Sequence, residues 1–455
     1  MRIHFIAIGG SAMHNLAIAL HKKGYQVTGS DDAIFEPSRS RLDRYGLLPA
    51  DMGWDEARIS SDLDAVILGM HALTDNPELL KAQEMGIKIY SYPEYIYEQT
   101  KDKLRVVIGG SHGKTTITSM ILHVLNYYKK DFDYLVGAQL AGFDTMVKIT
   151  NEAPLIVIEG DEYLASPIDR RPKFHLYKAN LAVISGIAWD HINVFKTYAD
   201  YTRQFELFID TIVPGGKLVY CNADKDLEQI VKESKADVQK IGYGIPDHVV
   251  KDGISYLLPD ETPLKVFGDH NLMNINAAKL ICSALGIDHK QFDIAIGSFT
   301  GAAKRLELLR NSDETNVYKD FAHSPSKLKA TVDAVKTQFP NRKLVACIEL
   351  HTFSSLNKDF LVQYADTMAT ADTAIVYIDE KTFQHKRLEP FSKEDVQNAF
   401  KRADLLFFDN SERLKEYFHR VNFYRTNLLL MSSGNFGGVD LVNLARELNT
   451  VEQGI

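Results

Sequence analysis

Arg105-Val-Val-Ile-Gly-Gly-Ser-His-Gly-Lys-Thr-Thr116 decides how this chain is read. A short β-branched run ends in two glycines, passes a third glycine and a lysine, and turns into an apolar-periodic helix. A strand that stops at Gly109-Gly110 and restarts as a helix at Lys114 aims successive backbone N–H groups and a helix N-terminus at one spot, which favours a bound anion. Gly113 lets the backbone pass close to a phosphate, Lys114 reaches its outer oxygens, and the hydroxyl of Thr115 or Thr116 can hold Mg²⁺. Gly110, Ser111, His112, Gly113, Lys114, Thr115 and Thr116 therefore form a candidate nucleotide-binding loop. Its spacing is not that of the common P-loop, because Ile108 stands six residues before Lys114, where that motif has glycine. The alternative is a glycine turn that binds nothing.

The strand before this loop and the helix after it belong to a longer alternation. Upstream, His4-Phe-Ile-Ala-Ile8 reads as a strand, Gly9-Gly10-Ser11-Ala12-Met13 as a turn, and the next residues to about Lys23 as a helix. A second strand runs to Asp31, about twenty residues past the glycines, where a dinucleotide fold sets an acidic group on a ribose. His14 and Asn15 occupy the region of the third glycine, so the fingerprint is incomplete and a nucleotide-bearing substrate fits better than a nicotinamide cofactor. Ala65-Val-Ile-Leu-Gly69 is a further strand, followed by a loop from His71 to Pro77.

Downstream, Leu155-Ile-Val-Ile158 delivers Glu159-Gly-Asp-Glu162 at a strand end, as a Mg²⁺-nucleotide site requires. Leu181-Ala-Val-Ile184 leads by the same logic to Ala188-Trp-Asp-His191. An alternating stretch to about residue 267 predicts β-hairpins at the edge of this central domain. In Gly268-Asp-His-Asn-Leu-Met-Asn274, Asn271 and Asn274 either read a base edge or cap the following helix. Gly301-Ala-Ala-Lys-Arg305 marks a hinge into a third α/β domain, with Asp320, His323, His351 and Ser432-Ser-Gly-Asn-Phe-Gly-Gly438 at its strand ends. The alternation predicts an α/β protein of three domains: a Rossmann-like domain at 1–102, a P-loop ATPase domain at 103–302 and a Rossmann-like domain at 303–455.

Composition agrees with this and excludes other classes. The 455 residues exceed what one core usually holds. A hydrophobic content of 45% with 25% charged residues is ordinary for a soluble protein, and a formal charge of −8 argues against nucleic acid as a partner. No apolar run reaches membrane-spanning length and no signal peptide opens the chain, so no membrane association and a cytoplasmic location are expected. Cys221, Cys282 and Cys347 sit in apolar segments without metal-ligand spacing and read as buried, reduced thiols.

In order, Gly9-Gly10, Gly110 to Thr116, Glu159-x-Asp-Glu162, Asp190-His191, His270-Asn-x-x-Asn274, Lys304-Arg-Leu-Glu307 and Asp320-x-x-His323-x-Pro325 resemble the Mur ligases. These are three-domain, ATP-dependent enzymes of bacterial cell-wall synthesis that form amide bonds. The family's phosphate loop is a shorter form, which accounts for Ile108. Glu159-Gly-Asp-Glu-Tyr163, Asp169-Arg-Arg-Pro-Lys-Phe174, Ala188-Trp-Asp-His191 and Met431 to Gly438 are similar to the murein peptide ligase branch. That branch joins UDP-N-acetylmuramate to L-alanyl-γ-D-glutamyl-meso-diaminopimelate. Glu349-Leu-His-Thr-Phe353 has some likeness to the neighbouring branch, which adds L-alanine to the same nucleotide sugar. That branch commonly carries arginine where this chain has Ser355, and Ser324 and Gly186-Ile-Ala-Trp189 also depart from frequent family patterns.

The resemblance implies ATP and Mg²⁺ as cofactors, with Lys114 on the β/γ-phosphates, Thr115 and Glu159 on Mg²⁺, and His191 on a second Mg²⁺. It implies Asn271, Arg305 and Asp320 near the adenine nucleotide. It implies Gly9, Gly10, Ser11, Asp31 and the loop at His71 on the uridine nucleotide, and His323 and His351 near the amine-bearing peptide or L-alanine. Ala302 to Lys304 is the expected hinge.

Overall fold

The computed structural model describes residues 1–140, 142–189, 194–301, 306–312, 314–386 and 388–451. His191, Arg305 and the expected hinge at 302–304 lie outside them. Packing divides the chain into one unit of Met1–Gly244 with Met273–Ile296 and another of Ile245–Leu272 with Gly297–Ile455.

The first unit holds two parallel sheets. β1 (Arg2–Ile6), β2 (Gln26–Ser30), β3 (Ala65–Leu68) and β4 (Ile89–Ser91) form the N-terminal one in the order β2-β1-β3-β4. β1 and β3 are buried along nearly their whole length, as strands sandwiched between helices must be. The order reverses at β1, so its carboxyl end, Ala7 to Gly10, opens at the topological switch point where such sheets take ligands. α1 (Ser11–Lys22) starts directly after Gly10, and α2 (Ser38–Arg44), α3 (Pro77–Glu84) and α4 (Tyr92–Thr100) complete the layer. Ser91 and Glu94 close α4 with a reciprocal capping box.

The second sheet of this unit contains β5 (Leu104–Gly109), β6 (Asp133–Leu135), β7 (Val147–Lys148), β8 (Leu155–Glu159), β9 (Leu181–Ile184), β10 (Gly216–Cys221) and β11 (Val238–Tyr243). The order is β11-β10-β9-β5-β8-β6-β7, with only β7 antiparallel to its neighbour among the described pairings. Ile108 of β5 pairs with Glu159 of β8 on one side and Val183 of β9 on the other. The glycine loop, the acidic strand end and Ser185 therefore emerge side by side. Below them, Arg105 is buried at the foot of β5, and its guanidinium donates to the carbonyls of Thr100, Lys101, Lys103, Tyr177 and Lys178. Those bonds tie the end of α4 to the central strand. α5 (Lys114–Tyr127), α6 (Tyr198–Asp210) and α7 (Lys225–Glu233) follow in chain order.

In the second unit the expected hairpins form as β12 (His248–Lys251), β13 (Ile254–Leu257) and β14 (Thr262–Leu264). They pack with the C-terminal sheet, whereas the sequence suggested the edge of the central domain. Ser255 donates to the Gln338 side chain, which in turn donates to the Gly253 carbonyl, and Phe267 meets the rings of Tyr318 and Phe339. The reason is apolar burial at Phe267, which alternation within the hairpins does not report. α8 (Asp269–Ala284) and α9 (His289–Ile296) come next in the chain and, from Met273 on, belong to the first unit. β15 (Glu307–Arg310), β16 (Val317–Asp320), β17 (Lys343–Glu349), β18 (Thr373–Tyr377), β19 (Leu406–Phe408) and β20 (Thr426–Met431) then pair in the order β15-β16-β20-β17-β18-β19, with α10 (Pro325–Gln338) after β16. Asp320 and Ile348 both pair with Met431, so Asp320, Glu349 and Ser432 finish at one edge.

The fold is thus α/β with several parallel-sheet layers, as the alternation predicts. Cys221, Cys282 and Cys347 are buried and free, and burial pushes all three thiols up. Among the described residues no helix is long and apolar enough to cross a membrane.

Candidate functional site

The glycine loop has the backbone geometry of an anion cradle. Gly110 and Gly113 take positive φ values of 124° and 81°. A Cβ at Gly110 would run into Ser185, and one at Gly113 into the side-chain amide of Asn274. Ser111 N–H donates to the Gly186 carbonyl at 2.9 Å, and Ser185 donates to the His112 carbonyl, so the loop is fixed from β9. His112 shares a hydrogen bond with the Ser111 hydroxyl at 3.0 Å. Gly113 is the N-cap of α5 and brings no side-chain cap, which leaves the helix N-terminus turned toward the cradle.

Lys114 and Thr115 each end on a carboxylate of the neighbouring strand end. Lys114 Nζ lies 2.7 Å and 3.0 Å from the two oxygens of Glu162 and 2.6 Å from the Gly110 carbonyl. Tyr201 donates to the same Glu162 at 3.1 Å. Burial works against the lysine's charge, but Glu162, Asp161 and Glu159 outweigh it and hold its pKa above the ordinary value. Thr115 Oγ1 donates to Glu159 Oε1 at 2.7 Å, and Gly137 N–H donates to Glu159 Oε2 at 2.8 Å. Burial raises the Glu159 pKa against those two donors and Lys114. Thr116 is buried in the first turn of α5.

The Thr115–Glu159 pair suits a hard divalent cation. A hydroxyl and a carboxylate offer oxygen donors of the type Mg²⁺ takes, and both groups point at the same place beside the cradle. Among the described residues no three His, Cys, Asp or Glu side chains gather into a metal cluster.

The corner at β1 is built differently. Gly9 N–H donates to Asp31 Oδ2 at 2.6 Å, and Asp32 N–H to Asp31 Oδ1 at 3.0 Å. Burial raises the Asp31 pKa, with Asp32 adding to it. Gly10 is the N-cap of α1 and also lacks a side-chain cap, Ser11 is exposed in the first turn, and His71 is exposed in the loop after β3.

In the second unit, both oxygens of Asp320 accept backbone N–H groups, from Leu306 at 2.8 Å and Ala322 at 2.7 Å, so it braces the end of β16. His323 shares a hydrogen bond with the Phe321 carbonyl. His351 reaches Ser433 at 3.4 Å through Nε2, its Nδ1 is buried without a described partner, and burial lowers its pKa. The buried Glu349 accepts from Ser432 and from Phe436 N–H, which shapes the loop opposite His351. Asn271 donates to the Phe267 carbonyl at 2.9 Å, whereas Asn274 is the amide beside Gly113.

The first unit therefore gathers Lys114, Thr115 and Glu159, and separately Gly9 and Asp31. The sequence places Glu162 in the acidic strand end and Asn274 at a base edge or a helix cap; the partners they have in the structure are Lys114 and the backbone at Gly113. A carboxylate three residues past Glu159, and an amide one helical turn past Asn271, were the available signals.

The Mur ligase family catalytic domain matches residues 2–103, and the Mur ligase middle domain matches residues 108–282. A UDP-N-acetylmuramate–L-alanine ligase of Caldicellulosiruptor bescii is 32% identical over 390 residues, 82% of each chain. The structure of the UDP-N-acetylmuramate–alanine ligase MurC of Thermotoga maritima aligns with a TM-score of 0.66 at 21% identity, over 98% of this chain and 97% of that one. The UDP-N-acetylmuramate:L-alanyl-γ-D-glutamyl-meso-diaminopimelate ligase of Neisseria meningitidis aligns with a TM-score of 0.57 at 26% identity, over 66% of this chain and 98% of that one.

Proposed function

Because the chain belongs to the Mur ligase family of ATP-dependent, amide-forming ligases, we propose that it joins the carboxylate of UDP-N-acetylmuramate to the α-amine of an L-alanyl unit. The observation that carries this is the convergence of Lys114, Thr115 and Glu159 at the end of β5 and β8.

A carboxylate is a poor electrophile. An oxygen of the sugar's carboxylate attacks the γ-phosphorus of ATP, ADP leaves, and an acyl phosphate forms. The amine then attacks the acyl carbon, the carbon–oxygen bond to the phosphate breaks, and inorganic phosphate departs with a proton lost from nitrogen. The first transfer joins two anions and needs positioned positive charge. Lys114 supplies it at the β/γ-phosphates, and the α5 N-terminus and loop N–H groups hold the rest of the triphosphate. Thr115 and Glu159 would hold Mg²⁺, which neutralises phosphate charge when bound. Gly9, Gly10, Ser11 and Asp31 are assigned to the uridine nucleotide, and His323 and His351 to orienting the amine. The domains at 1–102, 103–302 (apart from the hairpins at 248–264, which pack with the C-terminal sheet) and 303–455, and a cytoplasmic location, where ATP and nucleotide sugars are available, are part of this proposal.

Free L-alanine is the amine favoured by the names of the curated relatives, in place of the tripeptide that the sequence motifs suggested. The tripeptide remains the second reading for a specific reason. An arginine to pair a free amino-acid carboxylate is replaced by Ser355, whose hydroxyl is buried and bonded to Thr352. UDP-N-acetylmuramate and ATP are offered with each amine in turn, and the product is weighed. A mass gain with L-alanine supports the first reading, a gain with the tripeptide alone supports the second, and ADP release that ignores both amines contradicts the ligase.

A further inference from the structure

His14 and Asn15 stand where a dinucleotide fold would keep glycine, and the proposed function gives them no task. Both are buried in the first turns of α1. His14 shares hydrogen bonds with the Gly10 carbonyl and the Ser38 hydroxyl, and Asn15 Nδ2 donates to the Ser11 carbonyl at 2.8 Å. The remaining end of Asn15 takes Arg41 of α2 at 3.5 Å and also reaches out of the N-terminal layer. Its Oδ1 accepts from Met146 N–H at 2.9 Å, in the hairpin that joins β6 to β7.

From there the hydrogen bonds run on without a gap. The Met146 carbonyl accepts from Val136 N–H at 3.0 Å across the hairpin stem, and the next residue, Gly137, donates its N–H to Glu159 Oε2 at 2.8 Å. The other Glu159 oxygen holds Thr115. Every link through the hairpin is made by backbone, which has little freedom to absorb a displacement. Three further contacts fasten the same hairpin to the N-terminal layer: Arg41 donates to Gln139 at 2.9 Å, and Lys22 and Tyr45 both donate to Asp144.

We propose that the β6–β7 hairpin couples occupancy of the Gly9–Gly10 corner to the Thr115–Glu159 pair, with Asn15 as the positioning residue at its near end. The inference rests on the functional reading above. A ligand on the corner loads the first turn of α1, Asn15 is bonded to the Ser11 carbonyl of that turn, and a shift there moves one of the two donors that aim the Glu159 carboxylate. The nucleotide sugar and the adenine nucleotide with its metal then favour the same arrangement, and each raises the other's affinity by the same factor. Glycine at position 15 would remove the acceptor of Met146 N–H and cut the link, which explains a large amide in place of a small residue.

The test measures the dissociation constant of UDP-N-acetylmuramate by titration calorimetry, with and without a non-hydrolysable ATP analogue and Mg²⁺. In the unaltered protein the ratio of the two constants is expected within the range of roughly 5- to 150-fold that site-to-site coupling spans. Asn15→Ala brings the ratio near one and leaves the affinity for the analogue alone unchanged. Asn15→Asp keeps the acceptor oxygen and keeps the ratio. Gln139→Ala, which is away from the glycine corner, lowers the ratio in part and serves if Asn15→Ala fails to fold. An unchanged ratio in both alanine variants, or a ratio of one in the unaltered protein when both ligands bind, overturns the coupling. A first titration in which UDP-N-acetylmuramate does not bind at all overturns the functional reading itself and this inference with it.

Discussion

Replacing Lys114 by methionine is expected to lower ligase turnover by on the order of 10²–10³-fold or more, the scale on which a preorganised charge-stabilising group acts. The variant carries a second effect that must be separated from the first. Glu162 is fully buried and loses its cation, and breaking a buried pair on one side costs about 3–5 kcal/mol of stability. The double variant Lys114→Met/Glu162→Gln removes the carboxylate's charge along with the lysine. It is expected to recover most of the lost stability in a denaturant titration while turnover stays low. If turnover returned with stability, Lys114 would be a structural residue and the phosphate assignment would fail.

Glu159→Gln is expected to produce the second large loss, on the order of 10²-fold in kcat/KM, because one anionic oxygen donor for Mg²⁺ disappears. The amide oxygen still accepts from Gly137 N–H or Thr115, so the fold should survive with a near-normal melting temperature. The signature is therefore a raised Mg²⁺ requirement in a stable protein. Assays across a range of Mg²⁺ concentrations check it, and a variant with the same Mg²⁺ dependence as the unaltered enzyme argues against the metal assignment.

The parts of the site that sequence could carry are those with local signatures. Strand–glycine–lysine–helix is contiguous, so Gly110 to Thr116 and the start of α5 are legible in the sequence. The acidic end of β8 and the Gly9–Asp31 corner are legible for the same reason: Glu159 is the last residue of β8, Gly9 lies three residues past β1, and Asp31 directly follows β2. What escaped reading is made at a distance. The Lys114–Glu162 ion pair spans 48 positions, and nothing local says which of three carboxylates at one strand end takes the lysine and which the threonine. In the sequence Asn15 reads only as a break in a glycine pattern, because its partner is a backbone N–H 131 residues away, and backbone has no sequence signature. The hairpins at 248–264 show correct alternation but not their allegiance, which Phe267 settles by packing on Tyr318 and Phe339.

The acyl phosphate is the feature on which the account turns, and isotope transfer tests it most directly. UDP-N-acetylmuramate labelled with ¹⁸O in both carboxylate oxygens is turned over with ATP and the accepted amine, and the released phosphate is analysed by mass. Attack of that carboxylate on the γ-phosphorus predicts one ¹⁸O atom in each phosphate and the other in the new amide. Phosphate free of label, or release of AMP and pyrophosphate instead of ADP, would contradict it.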